Sequence, residues 1–340
     1  MADDLLRAEG LRKSFPTRRN LRGRALEWVH AVEHVDLTVK RGETLAVVGE
    51  SGAGKSTVGR LLLRLIEPDA GTVTFDGEDL RAKSAAQLRA WRRHAQLIFQ
   101  DAFGSLDPRM TVRALIAEPL ILYEDLNRAD RNRRVLELLE RVELGAHHAD
   151  RYPFEFSGGQ LQRISIARAI ATNPALIVCD EPVSALDVSI RAQVINLLQD
   201  LQEELGISYV FVSHDLSLVG LIAHRIAIMF KGRVVEIGET RKIFDRPTHP
   251  YTRALLAAVP IPDPARARQW VRSTTPVTDP SAARGCAYVA RCPHAMSLCT
   301  EEAPALAERD GVAGHRVACH LATELSADNS SESTHRATTA

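Results

Sequence analysis

The chain has 340 residues, 43 Lys or Arg against 43 Asp or Glu, and a hydrophobic fraction of 45%. Such a length fits about two domains with ample core, and the balanced charge disfavours a nucleic-acid binder held by bulk electrostatics. No apolar run approaches the ~20 residues that span a bilayer, and Met1-Ala2-Asp3-Asp4 lacks the basic start of a signal peptide, so the chain is expected to stay in the cytoplasm.

Residues 5 to 48 read as β-structure, with Val35, Leu37 and Val39 alternating with Asp36, Thr38 and Lys40. An interruption from Pro16 to Trp28 carries Arg18, Arg19, Arg22 and Arg24. It reads as a solvated loop, with contact to anionic lipid or nucleotide phosphate as the alternative. Phe15 ends the first strand, where an aromatic either stacks on a base or joins the core.

The buried-strand run Thr44 to Val48 leads into Gly49-Glu50-Ser51-Gly52-Ala53-Gly54-Lys55-Ser56-Thr57, and a helical run from Val58 to Leu65 follows. G-x-x-x-x-G-K-S between a strand and a helix is the pattern of a phosphate-binding loop. Glycines let successive backbone N–H groups point inward, and the helix adds its positive N-terminal end. Lys55 is expected to reach the β- and γ-phosphates of ATP, and Ser56 to put its hydroxyl on Mg²⁺.

A short strand, Thr72 to Phe75, and a helix with Leu88 and Trp91 precede the strand Leu97-Ile98-Phe99 running into Gln100. From Asp101 to Tyr152 the pattern is helical, with Thr111 as a cap and Val135, Leu138, Leu139 and Val142 as an apolar face. Ser157-Gly158-Gly159-Gln160 then opens another helix and offers a second anion site, a weak signal by itself. The apolar run Ala175 to Cys179 reads as a strand buried on both faces, and it delivers Asp180 and Glu181 to the sheet end where ligands bind. Adjacent carboxylates on a strand end point to opposite sides, so Asp180 can serve the magnesium while Glu181 orients or deprotonates water. Ser184-Ala185-Leu186-Asp187 introduces a long helix ending at Gly206, and Ser208 to Val212 is a further strand leading to His214.

Gly49 to Ser56, Gln100, Ser157 to Gln160, Asp180-Glu181, Asp187 and His214 together resemble an ATP-binding cassette ATPase over about residues 4 to 245. The resemblance implies an α/β fold: a P-loop NTPase (RecA-like) core, an N-terminal antiparallel β-subdomain and a helical insertion at about 101–155. It implies that Gln100 senses the γ-phosphate beside the Mg²⁺ held by Ser56 and Asp180, that Glu181 is the general base, and that His214 braces the transition state. Phe15 and Asp187 join the nucleotide contacts. Ser157, Gly158, Gly159 and Gln160 would face the P-loop of a second cassette. Phe156 stands where the family prefers leucine, a tolerated apolar exchange.

Phe103-Gly104-Ser105-Leu106-Asp107-Pro108-Arg109-Met110 and Pro247-Thr248-His249-Pro250-Tyr251-Thr252-Arg253 resemble the second ATPase subunit of dipeptide, oligopeptide and nickel importers. That branch implies a second ATPase, commonly a paralogue, two membrane permease subunits and an extracytoplasmic solute-binding protein. The place of work would be the cytoplasmic face of the membrane. The insertion would receive the coupling helices of the membrane subunits. Nickel or another small solute is the alternative cargo, and a soluble non-transport cassette the alternative class.

Residues 246–325 are expected to form a small Cys-rich extension, and 326–340 a disordered tail. Cys286, Cys292, Cys299 and Cys319 are separated by five, six and nineteen residues, without the close pairs that zinc sites prefer. His294, His315 and His320 are further zinc ligands, and four thiolates can instead hold a [4Fe–4S] cluster. Reduced free thiols are the remaining alternative. Importer subunits with this tail resemble cluster binders, which favours iron–sulfur.

Overall fold

The computed structural model describes residues 4–19, 25–258, 285–309 and 312–325. The expected aperiodic stretch from Pro260 to Pro280 and the tail from Ser326 lie outside them. Among the described residues twelve strands form two sheets. β1 (Asp4–Arg19), β2 (Ala25–Lys40), β4 (Ala70–Phe75) and β5 (Glu78–Asp79) make an antiparallel sheet in the order β2-β1-β4-β5. The larger sheet contains β3 (Thr44–Val48), β6 (Ala95–Ile98), β7 (Leu176–Asp180), β8 (Ser208–Ser213), β9 (Arg225–Phe230), β10 (Arg233–Glu239), β11 (Ala307–Arg309) and β12 (Val312–Val317). Its order is β11-β12-β10-β9-β3-β8-β7-β6, parallel from β9 to β6 and antiparallel beyond.

The parallel strands are buried on both faces because alternate side chains serve two cores. Ala46 and Val48 of β3 pack into one, with Ile177 and Cys179 of β7 and Tyr209 and Phe211 of β8. Leu45 and Val47, Leu176 and Val178, and Val210 and Val212 pack into the other, against the P-loop helix Lys55–Leu62 and the antiparallel sheet. The expected helical insertion is present. Its helices Val112–Tyr123 and Arg128–Arg141 pack on Gly158–Ile170, and Thr111 caps the first through its hydroxyl, which accepts from Ala114 N at 3.4 Å. Val135, Leu138, Leu139 and Val142 are fully buried.

Two readings need correction. The interruption from Pro16 to Trp28 is mostly strand: β1 continues to Arg19 and β2 resumes at Ala25, with Phe15 opposite Val29 and Pro16 opposite Trp28. Backbone pairing extends this hairpin beyond its core, so Trp28 and Val29 remain more than half exposed, which removed the burial periodicity that would mark a strand. Arg22 and Arg24 lie outside the described residues. The Cys-rich extension is also continuous with the cassette. β12 pairs with β10, Glu236 opposite Val317, and Tyr288 enters the cassette core. No helix among the described residues is long and apolar enough to cross a membrane.

Candidate active site

The P-loop sits at the C-terminal end of β3, between β9 and β8. Gly54 adopts φ 98°, and a Cβ there would lie 2.0 Å from the Ala31 carbonyl oxygen, so the close approach of β2 requires glycine. Gly49 is equally constrained, since its Cβ would fall 2.2 Å from the Met229 carbonyl oxygen. The loop therefore turns with its own carbonyls around Lys55. The Lys55 ammonium, 5% exposed, donates to the Gly49 and Glu50 carbonyl oxygens at 2.9 and 3.1 Å. Burial pulls its pKa below the ordinary lysine value, while Glu181 and Asp180 act in the opposite sense.

The two carboxylates at the end of β7 part as their positions require. Asp180 accepts from the Ser56 hydroxyl at 2.7 Å, which places two hard oxygens side by side and suits Mg²⁺ completed by phosphates and water. Glu181 leaves the strand at φ 48°, a left-handed conformation costly for a residue with a side chain. Its carboxylate accepts from Gln100 Nε2 at 3.1 Å, lies 3.2 Å from His214 Nδ1 and stands 4.0 Å from Lys55 Nζ. Residues 100, 181 and 214 thus meet across the ends of three parallel strands. They border a cavity of about 520 Å³ that also includes Gly158 and Leu186. Buried strands supply rigidity, and the polar groups gather only where the strands stop.

Ser157 to Gln160 cap the helix Gly158–Ile170 with a capping box: Ser157 Oγ accepts from Gln160 N, and Gln160 Oε1 accepts from Ser157 N at 3.0 Å. Among the described residues no hydrogen bond or ion pair joins this segment, or Asp187 at the start of the helix Val188–Leu205, to the P-loop. Ser157 and Gly158 are exposed. Phe15 is 38% exposed, with Lys13 Nζ 5.7 Å from its ring centre.

Cys286, Cys292, Cys299 and Cys319 line one cavity of about 20 Å³ together with His249, His294 and His320. That is room for about one water. Burial is the first cause raising the thiol pKa of Cys286, Cys292 and Cys319, the last to about 11, and neighbouring cysteines push in the same direction. Among the described residues no group of three or more His, Cys, Asp or Glu is arranged to hold a metal ion. The expected [4Fe–4S] or zinc site is therefore not shown among the described residues.

Two contacts to the P-loop had no signal in the spacing. The Tyr251 hydroxyl accepts from Glu50 N at 3.0 Å, and the Arg291 guanidinium forks onto the Glu50 carboxylate at 2.9 and 3.0 Å. They come from 201 and 241 residues away, beyond the reach of any local pattern.

Residues 32–184 match the family model described as ABC transporter, and residues 235–299 match that of the oligopeptide/dipeptide transporter C-terminal region. The chain is 48% identical to a probable peptide ABC transporter ATP-binding protein of Sinorhizobium fredii, over 98% of this chain and 94% of that one. It is 46% identical to the oligopeptide transport ATP-binding protein AppF of Bacillus subtilis, over 94% and 98% of the two chains. With the glutathione import ATP-binding protein GsiA of Escherichia coli it shares 54% identity over 78% of its length, which spans 43% of that longer protein. Among solved structures, a dimeric post-hydrolysis state of the ATP-binding cassette MJ0796 bound to ADP and Pi superposes with a TM-score of 0.62. That cassette is 31% identical, over 69% of this chain and 99% of its own.

Proposed function

The chain belongs to the ABC transporter ATP-binding proteins of the oligopeptide/dipeptide importer type, and from that premise we propose that its ATPase activity drives uptake of di- or oligopeptides across the cytoplasmic membrane. The observation that carries the reading is the meeting of Gln100, Glu181 and His214 beside Lys55 at the end of the parallel strands. Bound MgATP supplies the γ-phosphoryl group and the cation that neutralises developing charge. Lys55, now resting on the Gly49 and Glu50 carbonyls, would turn to the phosphate oxygens, and Ser56, Asp180 and Gln100 would hold the Mg²⁺. Glu181 takes the proton of the attacking water. Gln100 and His214 hold the two carboxylate oxygens of Glu181, which orients this base toward that water. Phe15 stacks on the base.

Ser157 to Gln160 and Asp187 make no bond to the chain's own P-loop, which suits a role completing the site of a second ATPase, a paralogue in this branch. The chain would then sit on the cytoplasmic face, its insertion against two permease subunits fed by an extracytoplasmic binding protein. The finer cofactor expectation, a [4Fe–4S] cluster with Zn²⁺ as the alternative, is supported by four thiols sharing one cavity. An absorption spectrum with iron and sulfide assay of anaerobically purified protein tests it, and a colourless sample without iron overturns it. The transport reading is tested by reconstituting the complex in vesicles with its permeases and binding protein. MgATP-dependent uptake of labelled peptide is expected, and ATP turnover without peptide movement overturns it.

A further inference from the structure

The C-terminal extension bonds to the nucleotide loop at Glu50, and holds it by both main chain and side chain. Glu50 is the second residue of the P-loop, and its carbonyl is one of the two on which Lys55 rests, at 3.1 Å. Its N–H donates to the Tyr251 hydroxyl at 3.0 Å, and its carboxylate accepts both arms of the Arg291 fork at 2.9 and 3.0 Å. Such a two-bond pair fixes orientation as well as distance.

The carrier of these groups is stiff. Tyr251 is 1% exposed, and its ring stands 4.6 Å from Phe230 and 5.4 Å from Tyr288, themselves 5.3 Å apart edge to face. The Arg291 guanidinium lies over Phe230 and Tyr288 at 5.7 and 5.6 Å. A cavity of about 260 Å³ lies between the loop's outer turn, Glu50 to Ala53, and this aromatic block, and the Glu50 bonds run beside it.

We propose that Arg291, with Tyr251, is a positioning residue of the ATP site, holding Glu50 so that the P-loop carbonyls and Lys55 stand ready for the phosphates. The free loop, with its glycines, samples many backbone postures, and each lost posture is entropy spent before the phosphates arrive. Anchoring Glu50 from outside removes that cost from binding. The extension is thereby a working part of the nucleotide site, and residues 286–292, which carry two of the clustered thiols, also carry its anchor.

The inference rests on the P-loop being the site of ATP, so Lys55→Ala is measured beside the test variants. Retained ATP binding in Lys55→Ala would fault the P-loop reading itself, whatever Arg291 does. The experiment is equilibrium binding of MgATP to the full-length chain, with thermal melting in the absence of nucleotide, for Arg291→Ala, Glu50→Ala, the double variant and Tyr251→Phe. Each single change is expected to weaken ATP binding about threefold to fivefold, the range of a well-formed half-exposed ion pair. The nucleotide-free melting temperature should hold. The double variant should bind no more weakly than the poorer single, because both changes cut the same link. Unchanged affinity in Arg291→Ala, losses that multiply in the double variant, or affinity that falls only in step with melting temperature would overturn the proposal.

Discussion

The nucleotide site and the thiol cavity are built on opposite principles. Around the P-loop, unlike groups face one another: an ammonium on carbonyls, a hydroxyl on Asp180, an amide and an imidazole on Glu181. Each charge or dipole finds its complement within the chain, so the site keeps its shape with no nucleotide in it. The thiol cavity gathers like groups. Four cysteines share it, and burial raises the thiol pKa of Cys286, Cys292 and Cys319 against the pull of neighbouring backbone N–H groups. A site of mixed donors and acceptors holds its shape by its own bonds, whereas like groups buried together resist taking on charge.

The largest effect should come from breaking the complementary set at its centre. Glu181→Gln keeps the shape and removes the base, so ATP turnover of the assembled complex is expected to fall about 10²- to 10⁴-fold. Undiminished turnover would refute the assignment of Glu181. The next prediction sharpens the other half of the contrast, that the cavity wall excludes charge. His249 is 1% exposed and lines the thiol cavity, and burial depresses its pKa to about 4 against the opposing pull of Glu236. Above pH 6.5 the ring is neutral in both the folded and unfolded chain. As pH falls from 6.5 toward 4 only the unfolded chain takes the proton, so stability drains across that window, by about 3 kcal/mol at most. Urea midpoints measured from pH 7.5 to 4 should show this slope, and His249→Asn, which can still cap Tyr251 N, should flatten it. A slope that persists in the variant would place the acid sensitivity elsewhere.

A smaller effect tests whether the nucleotide site is complete within one chain. Ser157→Arg puts a bulky charge where the helix start is exposed and makes no bond to the P-loop, so ATP affinity of the chain alone should be retained. Turnover of the assembled complex should nonetheless drop, by about tenfold or more, as for loss of a phosphate-facing donor. Equal loss of affinity in the isolated chain would show that the segment serves its own P-loop. Smallest is Thr111→Ala, which removes a helix cap from the insertion and should cost about 1 kcal/mol in a urea melt.

The sequence by itself determined the motif-bearing ends of β3, β6, β7 and β8. There the signal is local: strand periodicity, glycine spacing and a polar residue where an apolar run stops. The stop at Gly206, at positive φ, is local in the same sense. Tertiary structure alone decided the rest. Local pattern could not extend β1 and β2 past Phe15, because their pairing there buries little. Nor could it lay β12 along β10, bring four irregularly spaced cysteines to one cavity, or set Arg291 on Glu50. Those contacts join segments up to 241 residues apart, and topology, not the neighbouring residues, brings such segments together.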